Sequence, residues 1–185
     1  MTPPFPDRKY SVILADPPWA YSHKHGAGPN SKPRGGAVVH YQVMDVDAIA
    51  ALHPPSGDDA VLLLWATFPH LPEALQVMDA WGFTYKTAAF VWVKETDKGS
   101  LFTGLGSYTR ANAEVVLLGL KGKGLPRIDR SVKQVILAPR GRHSEKPAEV
   151  RDRIVRLYGD VPRIELFARQ RAQGWDSWGL EVPPE

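Results

Sequence analysis

The residues best equipped for chemistry stand together as Asp16-Pro17-Pro18-Trp19, directly after a short apolar run. Asp16 offers a carboxylate and Pro17 a backbone carbonyl, while neither proline carries an N–H donor. Trp19 adds a flat aromatic surface. The tetrapeptide therefore combines hydrogen-bond acceptors with a stacking platform, which suits an exocyclic amino group on a planar base.

An amino group of this kind needs acceptors before it can react. The N6 amine of adenine is a poor nucleophile because its lone pair is delocalised into the ring. Oxygens of Asp16 and Pro17 would accept its two hydrogens and stabilise the positive charge that develops during alkylation. No strong base is required, since the proton becomes acidic once the nitrogen is alkylated. The alternative interpretation is structural, with the prolines ending a loop, Asp16 in a turn and Trp19 in the core.

Apolar runs and helical periodicities alternate along the rest of the chain. The expected strands are 10–15, 61–65, 83–94, 114–120, 135–137 and 163–167. The expected helices are 45–52, capped by Asp45; 70–81, with an apolar face of Leu71, Leu75, Met78 and Trp81; and one that begins near Pro147 and ends at Gly159. This alternation predicts an α/β fold, a largely parallel sheet with helices on both faces. Ligands of such sheets bind beyond the carboxyl ends of the strands, where Asp16 follows its strand.

The length of 185 residues predicts a single domain over 10–185, preceded by a proline-rich, flexible arm over 1–9. The segments 19–39 and 94–110 lack any periodicity. Long aperiodic segments inside a compact domain are usually functional or mobile.

The composition excludes several classes of protein. The absence of cysteine rules out disulfides, thiolate zinc sites and cysteine nucleophiles, and fits a reducing cytoplasm. No apolar run is long enough to span a bilayer, and we expect no metal site because His23, His25 and His40 lack a regular ligand spacing.

The net charge is only +3, but it is unevenly distributed: between Lys121 and Arg156 there are 11 Lys and Arg residues and 4 Asp and Glu residues. That surplus indicates a polyanionic partner or, alternatively, the solvated face of a helix.

Several segments between positions 11 and 181 resemble one family, in that family's order. They are Ile13-Leu14-Ala15-Asp16-Pro17-Pro18-Trp19, the stretch from Gly106 to Glu114, Arg142-His143-Ser144-Glu145-Lys146-Pro147, Glu165-Leu166-Phe167-Ala168-Arg169, and the pairs Gly174-Trp175 and Trp178-Gly179. They resemble the MT-A70 family, the S-adenosylmethionine-dependent N6-adenine methyltransferases with the DPPW signature. The resemblance implies a Rossmann-like methyltransferase fold in the permuted β-class order, in which the catalytic motif precedes the cofactor segment.

The same resemblance implies S-adenosylmethionine as cofactor and assigns residues to it. Lys146, beside a helix start, would meet the cofactor's carboxylate, Arg169 its ribose or adenine, and Glu181 its ribose hydroxyls, with Asp16 close by. The structural alternatives are an exposed lysine at a helix end and a surface ion pair for Arg169. Leu180 departs from the family, which often has Asn there, so either Glu181 would hold the ribose alone or the affinity for the cofactor would be reduced.

On the substrate side, the resemblance implies that the DPPW residues hold the adenine. Further expected contacts are Tyr21, Arg110 and Asn112, with Lys121, Lys123 and Arg127 along the phosphates. In a duplex the base must first leave the stack. The compact, cysteine-free chain favours DNA over RNA, and a homo-oligomer could supply sequence specificity. The rival hypotheses are a non-catalytic relative that binds nucleic acid or scaffolds a partner, and a small-molecule N-methyltransferase.

Overall fold

The computed structural model describes residues 3–20, 43–106, 108–141 and 145–182. Its strands are β1 (Tyr10–Ala15), β2 (Ser56–Ala66), β3 (Thr84–Glu95), β4 (Ala113–Lys121), β5 (Val135–Pro139), β6 (Arg163–Leu166) and β7 (Asp176–Trp178). Its helices are α1 (Val46–Ala50), α2 (Leu71–Ala80), which a 3-10 turn at Phe68–His70 precedes, and α3 (Glu149–Tyr158). The expected strands and helices are confirmed, with ends that shift by a few residues, and β7 was not expected.

The seven strands form one sheet in the order β5-β3-β4-β2-β1-β6-β7. Strand β4 runs antiparallel to both of its neighbours, and every other pairing is parallel. Six strands therefore end at the same edge, here called the carboxyl edge, and β4 begins there. The prediction of a largely parallel sheet is confirmed, with one reversed strand inside it.

Each face of the sheet carries its own apolar core, because alternate residues of a strand point to opposite faces. On one face, α1 and α2 bury Ile49, Val77 and Met78 against the sheet. On the other, α3 buries Val150 and Ile154. The prediction of helices on both faces is thus confirmed. The largest helix among the described residues has ten residues, and none of these helices is long and apolar enough to cross a membrane.

Local sequence signals define two of the helix ends. The Asp45 carboxylate accepts a hydrogen bond from the Ala48 backbone N–H at 2.7 Å, so it caps α1 as expected. Gly159 ends α3 with a φ of 78°, and its N–H donates to the Val155 carbonyl.

The apolar face of α2 differs from the one that the periodicity predicts. Met78 and Trp81 are buried as expected, but Ala74 and Val77 share their face, while Leu75 is 37% exposed. Trp81 sets the rotation of this face, because its indole N–H donates to the Ile49 carbonyl of α1 at 3.0 Å. The prediction for Leu75 was wrong because both spacings fit a helix, and only the contact with α1 selects one of them.

The N-terminal arm is held against β7, as far as it is described. The Phe5 ring stacks on Trp178 with centroids 4.4 Å apart, and the Trp178 indole N–H donates to the Pro3 carbonyl. Arg8 forms an ion pair with Asp176 at 3.2 Å. These contacts attach Pro3, Phe5 and Arg8 to β7, and the flexibility of the arm stays a prediction. The contacts could not be foreseen, because β7 is too short to have been predicted.

The rotation of α2 can be tested by truncating one buried and one outward side chain. Met78→Ala should lower the free energy of unfolding by about 2–5 kcal/mol, because it leaves a cavity in the core. Leu75→Ala is the matched control and should cost well under about 1 kcal/mol. Urea denaturation measures both, and equal losses would contradict the observed face.

Candidate active site

Asp16 lies at the carboxyl edge in the middle of the sheet. It follows β1, whose last residue Ala15 pairs with Leu64 of β2 and Leu166 of β6. Its backbone N–H donates to the Leu166 carbonyl at 3.4 Å, and about 25% of its side chain is exposed. A carboxylate is thus held at the point where three parallel strands end, the usual place for a ligand in such a sheet.

The rest of the DPPW motif is fixed by backbone and indole hydrogen bonds. The Pro17 carbonyl accepts the Trp19 N–H, and the Pro18 carbonyl accepts the Met44 N–H, both at 2.9 Å. Because a carbonyl oxygen has two lone pairs, the Pro17 oxygen has the capacity for another donor. The Trp19 indole is buried, donates to the Trp65 carbonyl at 3.3 Å and lies parallel to His70. This burial fits the alternative in which Trp19 belongs to the core, and its stacking on a base stays a prediction.

Four alternating charges run along the carboxyl edge from Asp16. Lys146 Nζ lies 3.0 Å from Asp16 Oδ2 and 3.3 Å from Glu114 Oε2. Lys94 Nζ lies 2.5 Å from the other oxygen of Glu114, Oε1. We call this set the charge chain: Asp16, Lys146, Glu114 and Lys94. It joins the ends of β1 and β3, the start of β4 and the segment before α3.

Lys146 and Glu114 are held in their charged forms although both side chains are largely shielded from solvent. Burial alone would lower the pKa of Lys146, but attraction by Asp16 and Glu114 outweighs burial and raises it. Burial alone would raise the pKa of Glu114, but Lys146 and Lys94 hold it below its ordinary value. Both groups are therefore charged at neutral pH. The two ammonium groups also lie over indole rings, Lys146 over Trp65 at 5.4 Å and Lys94 over Trp92 at 5.0 Å.

A further carboxylate stands beside Asp16 on the neighbouring strand. Glu165 of β6 accepts two hydrogen bonds from Arg151 of α3, at 3.1 and 3.2 Å. Burial raises the pKa of Glu165, Arg151 counteracts this, and repulsion from Asp16 adds to the rise. The structure thus places the Glu165 carboxylate in a salt bridge with Arg151.

Two predicted cofactor residues meet where β6 ends. Arg169 Nε lies 4.0 Å from Glu181 Oε1, with 35% and 52% of their side chains exposed. The chain turns sharply here, because Phe167 has a φ of 59°, and the Ala168 N–H donates to the Trp178 carbonyl. Leu180, beside Glu181, is mostly exposed. Asp16, Arg169 and Glu181 thus follow the carboxyl ends of the neighbouring strands β1, β6 and β7.

The predicted substrate residues fall into three groups. Arg110 and Asn112 lie at the carboxyl edge, just before β4, and the Asn112 carbonyl accepts the Lys94 N–H. Tyr21 lies outside the described residues. Lys121 ends β4 and pairs with Ala60 near the start of β2, so the remaining three residues, Lys121, Lys123 and Arg127, follow at the opposite edge.

These three residues belong to the basic loop, residues 121–133, which the structure does not bring together with Asp16. At about 3.3 Å per residue, the length of β4 separates Lys121 from the charge chain by roughly 20 Å. Lys121 instead donates to Ser56 Oγ at 2.7 Å, and the Lys123 backbone N–H donates to Asp59. The contacts of Lys121, Lys123 and Arg127 with phosphates stay a prediction, and this placement puts them at the edge opposite Asp16.

Sequence reasoning missed Lys94 as a site residue. Its signal was present, because Lys94 ends one apolar strand and Glu114 starts the next. Because the two strands pair antiparallel, both side chains lie at one edge of the sheet.

Among the described residues, no group of three or more His, Asp or Glu could hold a metal ion. His23, His25 and His40 lie outside the described residues.

With this geometry in view, comparison with known proteins gives a clear family. The MT-A70 family model matches residues 10–181. The chain belongs to the MT-A70 family. This confirms the resemblance and the enzyme class that it implies, an adenine N6-methyltransferase, and with it the Rossmann-like fold.

Three relatives show the range of the similarity. The type II methyltransferase M.MunI of Mycoplasma sp is 38% identical, over 98% of this chain and 81% of that protein. An N(6)-adenosine-methyltransferase MT-A70-like protein of Arabidopsis thaliana is 27% identical, over 94% of this chain and 24% of that protein. The N(6)-adenosine-methyltransferase catalytic subunit METTL3 of Homo sapiens is 27% identical, over 87% of this chain and 26% of that protein. This MT-A70 chain thus spans about a quarter of these two longer relatives.

The charge chain predicts a pH-dependent contribution to stability. Glu114→Gln should lower the free energy of unfolding at neutral pH by about 3 kcal/mol, because the largely shielded ammonium groups of Lys146 and Lys94 lose a shared partner. The pKa of Glu114 is lowered from 4.5, so its contribution is complete above that value and is lost as the pH falls through the folded-state pKa. The difference between wild type and variant should therefore shrink as the pH falls below 4.5.

Urea denaturation across this pH range measures that difference. Lys9→Gln is the control, since the Lys9–Asp58 ion pair is exposed, and it should change stability little at any pH. A difference for Glu114→Gln that stayed constant with pH would contradict the assigned charge of Glu114.

Proposed function

We propose that this MT-A70 methyltransferase transfers a methyl group from S-adenosylmethionine to N6 of adenine in DNA, with Asp16 as the central catalytic residue. The observation that carries the proposal is the position of Asp16. Its carboxylate stands partly exposed at the carboxyl edge, and the buried ammonium group of Lys146 holds it there. The family match supplies the reaction class.

In the proposed reaction, the protein acts mainly by orienting the amine and stabilising charge. The Asp16 carboxylate and the Pro17 carbonyl accept the two N6 hydrogens, which directs the nitrogen lone pair towards the methyl donor. As the N–C bond forms, the bond between the methyl group and the sulfonium sulfur of S-adenosylmethionine would break and its electron pair would return to sulfur. Positive charge then develops on N6, and Asp16 stabilises it by charge attraction. The N6 proton is then acidic and passes to water, so no strong base is required. Pro17 and Pro18 add no N–H donors that would compete for the oxygens.

The residues at the end of β6 fit the polar parts of the cofactor. S-adenosylmethionine supplies the methyl group, and its ribose hydroxyls and carboxylate need polar partners. Glu181 and Arg169 offer an acceptor and donors on partly exposed side chains, in the loops that follow β6 and β7. Lys146 would share its charge between Asp16 and the cofactor's carboxylate.

DNA is the proposed substrate because of the pattern of similarity. The chain is 38% identical to the type II methyltransferase M.MunI and covers 81% of it. Its identity with the N(6)-adenosine-methyltransferases of Arabidopsis thaliana and Homo sapiens is 27%, over about a quarter of their length. Incubation with labelled S-adenosylmethionine on DNA and RNA pools, followed by mass spectrometry of the nucleosides, tests this choice. N6-methyladenosine in RNA alone would overturn it.

Removal of the Asp16 charge should abolish most of the activity. Asp16→Asn keeps the size of the side chain but loses the charge attraction at N6, so kcat should fall by roughly 100-fold or more. Methyl incorporation into DNA measures the effect, and circular dichroism checks the fold. Asp58→Asn is the control, because Asp58 is an exposed carboxylate at the opposite edge. Full activity of Asp16→Asn would rule out the proposed mechanism.

Cofactor affinity should respond to the residues at the end of β6. Arg169→Gln and Glu181→Gln should each weaken S-adenosylmethionine binding about tenfold, because a hydrogen bond to a charged group is lost. Leu180→Asn should strengthen binding, since it restores a polar side chain beside Glu181. Isothermal titration measures all three, with Arg156→Gln as control, whose partner Asp129 lies in the basic loop of the opposite edge. A wild-type protein that binds no cofactor would instead favour a non-catalytic scaffold.

A further inference from the structure

The chain between β3 and β4 forms an ordered projection beyond the carboxyl edge. The Phe102 N–H donates to the Lys94 carbonyl at 2.8 Å, and the Gly104 N–H donates to the Ala111 carbonyl at 3.0 Å. Leu101 also forms a bridge with Glu95. These bonds tie the two arms to each other and to the strand ends that carry Lys94 and Glu114. We call residues 101–106 and 108–111 the projection.

Two features at its base and tip indicate that the projection has a defined shape. At the base, the Arg140 guanidinium lies 3.9 Å from the centre of the Phe102 ring, which packs the end of β5 against it. Near the tip, a methyl group on Gly104 would overlap the Ala111 carbonyl, and one on Gly106 would overlap the Thr109 carbonyl. Only glycine allows the two arms to approach so closely.

The tip exposes its two large apolar side chains almost completely. Leu105 is 91% exposed and Tyr108 is fully exposed, more than any other large apolar residue that the structure describes. Single exposed apolar residues are common on protein surfaces. Here, however, a leucine and a tyrosine share the tip of an ordered turn, and that turn stands on the same edge as Asp16.

The charges around the projection suit a polyanion. Arg110 beside the tip and Arg140 at the base are exposed. The other charged residues of this region, Glu95, Asp97 and Lys98, precede the projection and lie at its root. A cationic, apolar and aromatic tip has the chemistry of protein elements that enter the stack of a nucleic acid.

We propose that Leu105 and Tyr108 form a wedge that enters the base stack of duplex DNA beside the target adenine and fills the space that the base leaves. This inference rests on the proposed function, because Asp16 can reach N6 only after the base has left the stack. The wedge stabilises that open state: Leu105 separates the neighbouring bases and Tyr108 stacks on one of them. Arg110 and Arg140 contact the adjacent phosphates.

The wedge predicts that its removal lowers activity on duplex DNA but not on denatured DNA. Leu105→Ala combined with Tyr108→Ala should lower kcat/KM on native duplex DNA by about tenfold or more, because base stacking on the protein is lost. On the same DNA after heat denaturation, where no duplex must be opened, activity should stay within about twofold of wild type. Ile128→Ala, which truncates an exposed side chain at the opposite edge, should change neither activity.

A mismatched DNA substrate should restore the activity of the double variant. Such a restoration is not expected if Leu105 and Tyr108 only stabilise the fold. Once wild type has shown which adenine in a duplex is methylated, a mismatch at that position weakens its pairing. The double variant should then regain most of its activity. Fluorescence of 2-aminopurine in place of that adenine should rise on binding of wild type and rise less with the variant, at equal occupancy measured by anisotropy.

The possible outcomes separate this inference from the proposed function. Loss of activity on the duplex alone, with rescue by the mismatch, supports the wedge. Equal loss on duplex and denatured DNA would overturn it and assign the projection to catalysis or to a protein partner. Unchanged activity on the duplex would overturn it as well. A wild type that methylates neither form of DNA would instead refute the proposed function itself.

Discussion

The ion pair between Asp16 and Lys146 is the contact on which the candidate site depends. A buried ammonium group is costly unless carboxylates surround it, and Lys146 has two of them, Asp16 and Glu114. Glu114 in turn carries a second lysine, Lys94. Each charge therefore needs the next one along the edge, and the position of Asp16 is determined by residues on β3, on β4 and before α3. Rigid placement of the acceptor is what the proposed reaction requires.

The reversed direction of β4 explains how the sheet distributes its polar residues. Because β4 begins at the carboxyl edge, Glu114 stands there, although it is the start rather than the end of a strand. The same reversal brings the projection to this edge and sends the basic loop after Lys121 to the other one. A sheet with seven parallel strands would place these segments the other way round. The topology thus joins a carboxylate, a lysine pair and an exposed aromatic tip around one edge.

Much of the fold was predictable because its signals are local. The apolar run before Asp16, the cap at Asp45 and the glycine after α3 each act within a few residues, and the structure retains all of them. The DPPW motif likewise stands at a strand end because its own prolines stop the strand. Contacts between distant elements were not predictable. The rotation of α2 depends on Ile49, the arm depends on a strand of three residues, and Lys94 gains its role only when β3 and β4 turn back on each other.

The part of the candidate site around Asp16 and the part around Arg169 and Glu181 are built in different ways. This difference bears on which of these residues the family can substitute. Around Asp16, partners are shielded and pairs lie at 2.5 to 3.3 Å, so a change in one residue leaves another charge without compensation. Around Arg169 and Glu181, the ion pair is 4.0 Å long and partly exposed, so water can replace a lost partner. Substitution there should therefore cost little structure. The departure at Leu180 lies in this tolerant part, so the chain can alter a proposed cofactor contact while it keeps the proposed substrate acceptors.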